Sequence, residues 1–312
     1  MKKILYSLFI FIFFLMACSA PMQTTVTVRE QVPAPPPTNV VVAGPTEATY
    51  QVFYDELAPY GRWINYPDYG YVWIPTVGGS FQPYSTNGHW VYSNSGWAWV
   101  SNYQWGWAVF HYGRWLFEDG YGWLWIPGHE WAPAWVTWGN SGGYYGWAPL
   151  GPRINIGDNW NPPVHSWTFV PREHMNKPNV ESYVIDRNTN VTIVKNITII
   201  NNHNTTIVNN NVVNNNITNN TIRNNTTVIN NNQQVNKPVY NMGPHVNEVE
   251  KASNTHIEQV NITEHAKPAT STVSNNNLYM YRPTIMHEAK QQQLPSNNKP
   301  LPKNVEQYKK RQ

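Results

Sequence analysis

Few residues in this 312-residue sequence could do covalent or acid–base chemistry, and their spacing argues against it. His129-Glu130 opens like the helix of a zinc hydrolase. Position 133, where a second His would have to stand, is Pro, which a helix interior excludes. His89, His111 and His129 are 22 and 18 residues apart, in or beside aromatic runs. Packing or capping explains them better than a three-His metal site. Asp68, Glu118 and Asp119 fall in segments rich in Gly, Pro and Asp, where turn formation accounts for them. A glycosidase needs two acids facing each other across a cleft, which turn residues do not supply. No nucleophile elbow or phosphate loop is present. The expectation is therefore no enzyme, no cofactor and no metal site.

The residues with more chemical content are the tryptophans. The C–H faces of sugar rings can lie on flat indoles, with polar side chains hydrogen-bonding at the ring edges. Trp73, Trp97, Trp99, Trp123 and Trp125 are the candidate binding residues, because they recur in pairs along a repeat. All sixteen Trp lie between Trp63 and Trp167. The chain is 14% aromatic and only 12% charged, against about 25% charged in an ordinary domain. Between Tyr60 and Leu150 the charges are Arg62 and Arg114 against Asp68, Glu118, Asp119 and Glu130. That lacks the clustered basic face a nucleic-acid binder needs, so no nucleic-acid partner is expected.

The elements that must hold these residues follow from an internal repeat. Unit one is Gly61-Arg62-Trp63 followed by Gly70-Tyr71-Val72-Trp73-Ile74-Pro75. Unit two is Gly88-His89-Trp90 followed by Gly96-Trp97-Ala98-Trp99-Val100. Unit three is Gly113-Arg114-Trp115 followed by Gly122-Trp123-Leu124-Trp125-Ile126-Pro127. Each reads as a β-hairpin with a turn-forming middle. Alternation puts Tyr71/Trp73, Trp97/Trp99 and Trp123/Trp125 on one face, and Val72/Ile74, Ala98/Val100 and Leu124/Ile126 on the other. Trp90/Tyr92, Trp105/Trp107 and Trp115/Phe117 alternate likewise. Trp131 to Leu150 reads as one more hairpin around Gly142-Gly143, and Trp160 to Pro171, with Trp167-Thr168-Phe169-Val170-Pro171, as a last strand. With few Leu, Ile or Val available, most Trp are expected in the core. An exposed coplanar row of Trp would favour glycan binding, and buried Trp a scaffold.

The leader locates the chain. Met1-Lys2-Lys3 is basic, and Ile4 to Met16 is almost wholly apolar. That run is too short for the about 20 residues that cross a bilayer, so it reads as a signal peptide. It ends Leu15-Met16-Ala17-Cys18, which resembles a bacterial lipobox. The resemblance implies cleavage before Cys18, lipidation of Cys18 and a membrane anchored through it. Cys18 is the single cysteine, so there is no intramolecular disulfide. Ser19 follows it with no acidic residue nearby, which resembles the default destination at the outer membrane, facing the periplasm.

The string Gly70–Pro75, the run Trp105-Gly106-Trp107-Ala108 with His111–Trp115, and Trp131–Val136 resemble an uncharacterised bacterial family. It comprises Trp/Gly/Tyr-rich repeat lipoproteins or secreted proteins, classed as a domain of unknown function. The resemblance covers about residues 55–175 and carries no catalytic or binding residue. Related proteins are sometimes labelled carbohydrate-binding by similarity.

From Asn188 to Asn236 there are 20 Asn in 49 residues. Val191/Ile193 and Ile197/Ile199 alternate as strands would near 190–200. The later part lacks the apolar surface to offset chain entropy and reads as disordered or β-stacked. Val246, Val249, Ile257 and Val260 fit a short amphipathic helix.

The expected fold class is all-β: tandem Trp-rich hairpin repeats in one compact domain, then a low-complexity Asn-rich and partly disordered C-terminal half. The expected divisions are 1–17 signal peptide, 18–49 lipidated Cys and Pro-rich tether, and 50–175 Trp-rich β-repeat domain. They continue with 176–240 Asn-rich region, 241–286 short helix and linker, and 287–312 basic disordered tail. The expected function is that of a non-catalytic cell-envelope lipoprotein with a structural or protein-interaction role. The alternative is glycan or peptidoglycan binding through exposed Trp pairs. Expected partners are the membrane through Cys18, and either peptidoglycan, another polysaccharide or an envelope protein.

Overall fold

Each repeat unit begins with a glycine whose side-chain space is already taken, in every case by an indole and a backbone carbonyl together. In the computed structural model a Cβ on Gly61 would stand 2.4 Å from Trp73 Cε2, and one on Gly88 2.6 Å from Trp99 Cζ2. A Cβ on Gly113 would meet Ile126 O at 2.1 Å and Trp125 Nε1 at 2.9 Å. The structure describes residues 47–204 and 238–286 and the pair 298–299. The expected signal peptide, Cys18, nearly all of the expected tether, residues 205–237 and most of the expected basic tail lie outside the described residues.

The four expected hairpins are all present. They are β1 (Gly61–Tyr66) with β2 (Gly70–Pro75), β3 (Gly88–Ser93) with β4 (Gly96–Ser101), β5 (Arg114–Glu118) with β6 (Gly122–Ile126), and β7 (Val136–Ser141) with β8 (Tyr144–Pro149). Their registers place one tryptophan opposite another in every case: Trp63 opposite Trp73, Trp90 opposite Trp99, Trp115 opposite Trp125 and Trp138 opposite Trp147. Turn chemistry sets these registers. Asp68 has φ 68° and Gly70 φ 69° in the first turn, and Gly96 φ 91° in the second.

The first and third hairpins merge into one antiparallel sheet, β1-β2-β6-β5, with Trp73 opposite Trp125 at the seam. Asn298–Lys299 runs parallel to β1 at its edge. The second hairpin stands alone as a two-stranded sheet. The expected last strand is shorter than Trp160–Pro171: Pro162-Pro163 and a helical turn at Val164–Ser166 precede it, and only β9 (Thr168–Pro171) joins β8. β10 (Thr198–Ile200) joins β7, giving the order β9-β8-β7-β10. The protein is mostly β-sheet with small helices and a tryptophan-rich aromatic core.

The two-sided strands bury both faces, as the alternation requires. Trp73, Trp97, Trp99, Trp123 and Trp125 join one large aromatic cluster. Val72, Ile74 and Leu124 pack in a second cluster with Ile64 and Tyr66. Ala98 and Val100 pack under Val260, Leu278 and Met280. Leu278 and Met280 come from a C-terminal sheet in which β11 (Asn261–His265) and β12 (Thr272–Ser274) flank β13 (Asn277–Tyr281), and Val260 immediately precedes β11. Val249, Tyr281 and Ile285 enter the aromatic cluster as well, so its core continues well past residue 175. At the N-terminal side α1 (Gln51–Leu57) inserts Phe53, Tyr54 and Leu57, and Phe53 meets Trp125 edge-on at 5.2 Å.

Three further local expectations are corrected. Trp105 and Trp107 do not sit on a strand: Gly106–Val109 is a helical turn, α2, and both indoles are buried. A Trp-Gly-Trp triplet imitates period two, but Gly106 packs against Ser101, where a Cβ would come within 2.5 Å. Residues 190–194 are likewise helical, in α3 (Arg187–Val194). Asp186 caps it, accepting from Asn188 N at 2.9 Å and Thr189 N at 3.1 Å. Val191 and Ile193 would share a strand face, yet Ile193 is buried and Val191 is 47% exposed. Finally, α4 (Val246–Ser253) ends at Asn254, whose φ of 49° turns the chain away. Ile257 and Val260 are therefore off the helix, and Val260 bridges to Ser93.

Candidate functional site

The tryptophans are the candidate site, and their placement follows from the hairpin registers. Because each indole pair faces the same side, four hairpins deliver eight indoles toward one interior. Trp90 lies 4.5 Å from Trp138 and 5.4 Å from Trp147, ring centre to ring centre. Trp63 meets Trp125 at 6.3 Å, and Trp73 meets Trp105 at 5.1 Å. Most of these contacts are tilted or edge-on, the arrangement that aligns ring edges with ring faces.

This region has relatives. Residues 54–154 match a family of unknown function, DUF6600. The DUF6600 match runs from α1 through all four hairpins to Ile154, so it covers the elements that carry the indole pairs. No curated protein and no solved structure matches the chain.

Within the DUF6600 region the five candidate binding residues are core. Trp73, Trp99 and Trp125 are 0% exposed, Trp97 is 1% and Trp123 is 6%. They form no exposed row. Their apolar second faces are what drives them inward, since a chain poor in aliphatic residues has little else to bury. Fourteen of the sixteen indoles are buried in all; the exceptions are Trp131 and Trp160.

Six buried indole N–H groups donate to backbone carbonyls, two at the last residues of α1 and α2 and four in loops. Trp73 donates to Leu57 O at 3.1 Å, Trp115 to Val109 O at 3.0 Å and Trp125 to Tyr112 O at 2.8 Å. Trp135 donates to His111 O at 3.0 Å and Trp147 to Tyr84 O at 2.7 Å. Trp97 donates to Pro244 O at 2.9 Å. Each of these six indoles thus both fills the core and fastens a helix end or a loop.

The Trp97 bond is the longest-range of these and ties the C-terminal part to the repeats. Trp97 N also donates to Met242 O at 3.0 Å, and Gly243 lies against the Trp97 and Trp138 rings. Asn202 Nδ2 donates to Gly243 O at 2.8 Å, while Met242 N donates to Asn202 O at 2.7 Å. Pro238–Asn241 and Asn202–Asn204 are hydrogen-bonded to one another, so the described chain leaves at Asn204 and returns at Pro238 in the same place.

The candidate acids and histidines do not converge. Among the described residues no group of three His, Cys, Asp or Glu could hold a metal ion. His111 is 1% exposed, its Nδ1 3.0 Å from Ala132 O, and burial lowers its pKa to about 4. His89 is also lowered by burial, and His129 is exposed. Asp68 and Asp119 sit in the hairpin turns. Arg114 lies flat over Trp135, its Cζ 3.7 Å from the ring centre, and burial lowers its pKa.

Sequence reasoning missed α1, whose Phe53-Tyr54-x-x-Leu57 spacing is a helical apolar stripe. It also missed the fastening of Met242–Pro244 to Trp97, for which no short-range signal exists.

Proposed function

We propose that the chain is a non-catalytic cell-envelope lipoprotein of the Trp/Gly/Tyr-rich repeat type, whose repeat domain serves a structural or protein-interaction role. Burial of the repeat tryptophans carries this reading: the residues that could have formed a ligand platform build and fasten the core instead. The lipobox-like Leu15-Met16-Ala17-Cys18 supports anchoring through Cys18 at the outer membrane, facing the periplasm. The Pro-rich stretch after it supports a tether that holds the domain off the lipid surface. Glycan binding through exposed pairs among Trp73, Trp97, Trp99, Trp123 and Trp125 loses its support, because a sugar face needs an indole that water can reach.

Two measurements on the full chain test the proposal. Cys18→Ala should move the protein out of the membrane fraction and abolish incorporation of labelled fatty acid; an unchanged distribution would refute the anchor. For the domain, Trp97→Ala and Trp123→Ala should lower the unfolding temperature. If either variant kept its stability while losing sedimentation with purified sacculi, the platform reading would replace the scaffold reading.

A further inference from the structure

Sixteen tryptophans minus the fourteen in the core leave Trp131 and Trp160. Trp131 is spoken for. Its ring stacks on His111 at 5.8 Å, and Arg282 Cζ lies 4.8 Å from its centre. Trp160 is different, because it is half-buried at the wall of a cavity.

The loop that carries Trp160 follows β8. Ile154, Ile156 and Trp160, with Tyr240, pack against Ala132, Trp135 and Leu150, so the loop's apolar side chains are anchored on the domain. The loop is closed on itself: Asn155 N donates to Asp158 Oδ2 at 2.7 Å, and Trp160 N donates to Asp158 O at 2.8 Å. The opposite wall is the end of β10 with Asn201 and His203, held by the bridge from His203 to Asn241. Asn241 is 3% exposed, and its amide is used within the wall, donating to Ile200 O and accepting from Gly243 N. Between the walls is a cavity of about 320 Å³, at the lower end of the ~300–1,000 Å³ typical of small-molecule sites.

The chemistry of the lining selects the ligand. One indole offers a flat apolar wall. Asn155, Asp158, Asn159, Asn201 and His203 offer planar donors and acceptors around it. Among the described residues neither Lys nor Arg lines the cavity, and its one carboxylate is that of Asp158. Phosphates, sulfates and uronic acids would meet that carboxylate with no Lys or Arg among the described lining residues to offset it. A polyol with an apolar ring face suits this mixed lining: C–H groups on the indole and on Leu150, Ile154, Ile156 and Ile199, hydroxyls on the carboxylate and amides.

We infer that this cavity binds a neutral saccharide of one or two rings, with Trp160 as the stacking wall and Asp158, Asn159 and His203 as the hydrogen-bonding edge. The inference goes beyond the scaffold reading and uses none of the repeat tryptophans.

The test is calorimetric titration of the full chain in a detergent without sugar head groups. The probes are N,N′-diacetylchitobiose, cellobiose and maltose, with digalacturonate as the anionic control. At least one neutral disaccharide should bind while digalacturonate does not. Trp160→Ala should weaken that binding by about tenfold or more, equivalent to about 1.4 kcal/mol, measured at a temperature where the variant remains folded. Asn159→Ala changes an exposed side chain and should also weaken binding; it decides the matter if Trp160→Ala does not fold. Absence of binding by all three neutral probes at millimolar concentration overturns the proposal. So does equal binding of digalacturonate, or parental affinity in Asn159→Ala together with any folded Trp160→Ala.

Discussion

Gly88 lies beneath the indole of Trp99 so closely that a methyl group there would stand 2.6 Å from Cζ2 and 2.7 Å from Val100 O. Gly61 and Trp73 repeat the relationship in the first hairpin. The recurrent spacing from glycine to tryptophan is thus a packing device: the indole of one strand fills the side-chain space of the other. Gly88→Ala should lower stability by about 1–3 kcal/mol, the usual cost of forcing a methyl into a packed core. Gly79→Ala, where nothing lies within 4 Å, should stay within about 0.5 kcal/mol of the parent. Urea midpoints decide, and equal midpoints for the two variants contradict the account.

The indole of Trp97 fastens the C-terminal part to the repeats through Pro244 O. Trp97→Phe keeps an aromatic ring but leaves that carbonyl buried without its donor. It should cost about 1–3 kcal/mol. Amide exchange across residues 238–245 should speed up more than across β1 and β2. Uniform acceleration over the whole domain would mean that the bond is not a local fastener.

His111 makes stability depend on pH. Its pKa falls from 6.5 unfolded to about 4 folded because burial penalises the imidazolium. Between those values the unfolded chain binds the extra proton, so stability is full above pH 6.5 and is lost as pH falls toward 4. The loss from this group is about 3 kcal/mol. Burial depresses His89 and His203 as well, so they add to the same slope. His111→Gln should flatten the slope relative to the parent; an identical pH profile of unfolding would remove His111 from the explanation.

Arg114 covers the Trp135 ring and donates from Nη1 to Gly113 O at 2.8 Å. Arg114→Gln should cost about 1–2 kcal/mol through lost cation–π and hydrogen-bonding contact. Arg62, 5.6 Å from the Tyr121 ring centre, should cost less when replaced in the same way. Thermal unfolding of both variants, compared at equal pH and salt, gives the ranking.

The hairpins were legible because their information is local. Gly, Asp and Asn fix the turns, and period-two alternation fixes the faces of Tyr71/Trp73 and Val72/Ile74. Which face reaches water was not legible, since both are apolar and burial depends on chain far away in sequence. Ala98 and Val100 are covered by Leu278 and Met280, and no short-range pattern announces that. The helical turn at Trp105–Val109 was misread for a related reason: period two in a three-residue string does not distinguish a strand from a tight turn. The α3 helix was disguised by Asn and Thr, whose helix propensity is poor, although the Asp186 cap was a readable start signal. Trp160 was hidden by company, one indole among sixteen, until the core accounted for the others.

The central claim is that the repeat tryptophans are interior. Hydrogen exchange of the indole N–H groups, followed by NMR on protein labelled with ¹⁵N-tryptophan and assigned through Trp→Phe variants, addresses it residue by residue. The account predicts slow exchange for Trp73, Trp97, Trp99, Trp123 and Trp125, at rates set by unfolding, and fast exchange for Trp160. Immediate exchange of those five indoles in the folded protein would contradict it.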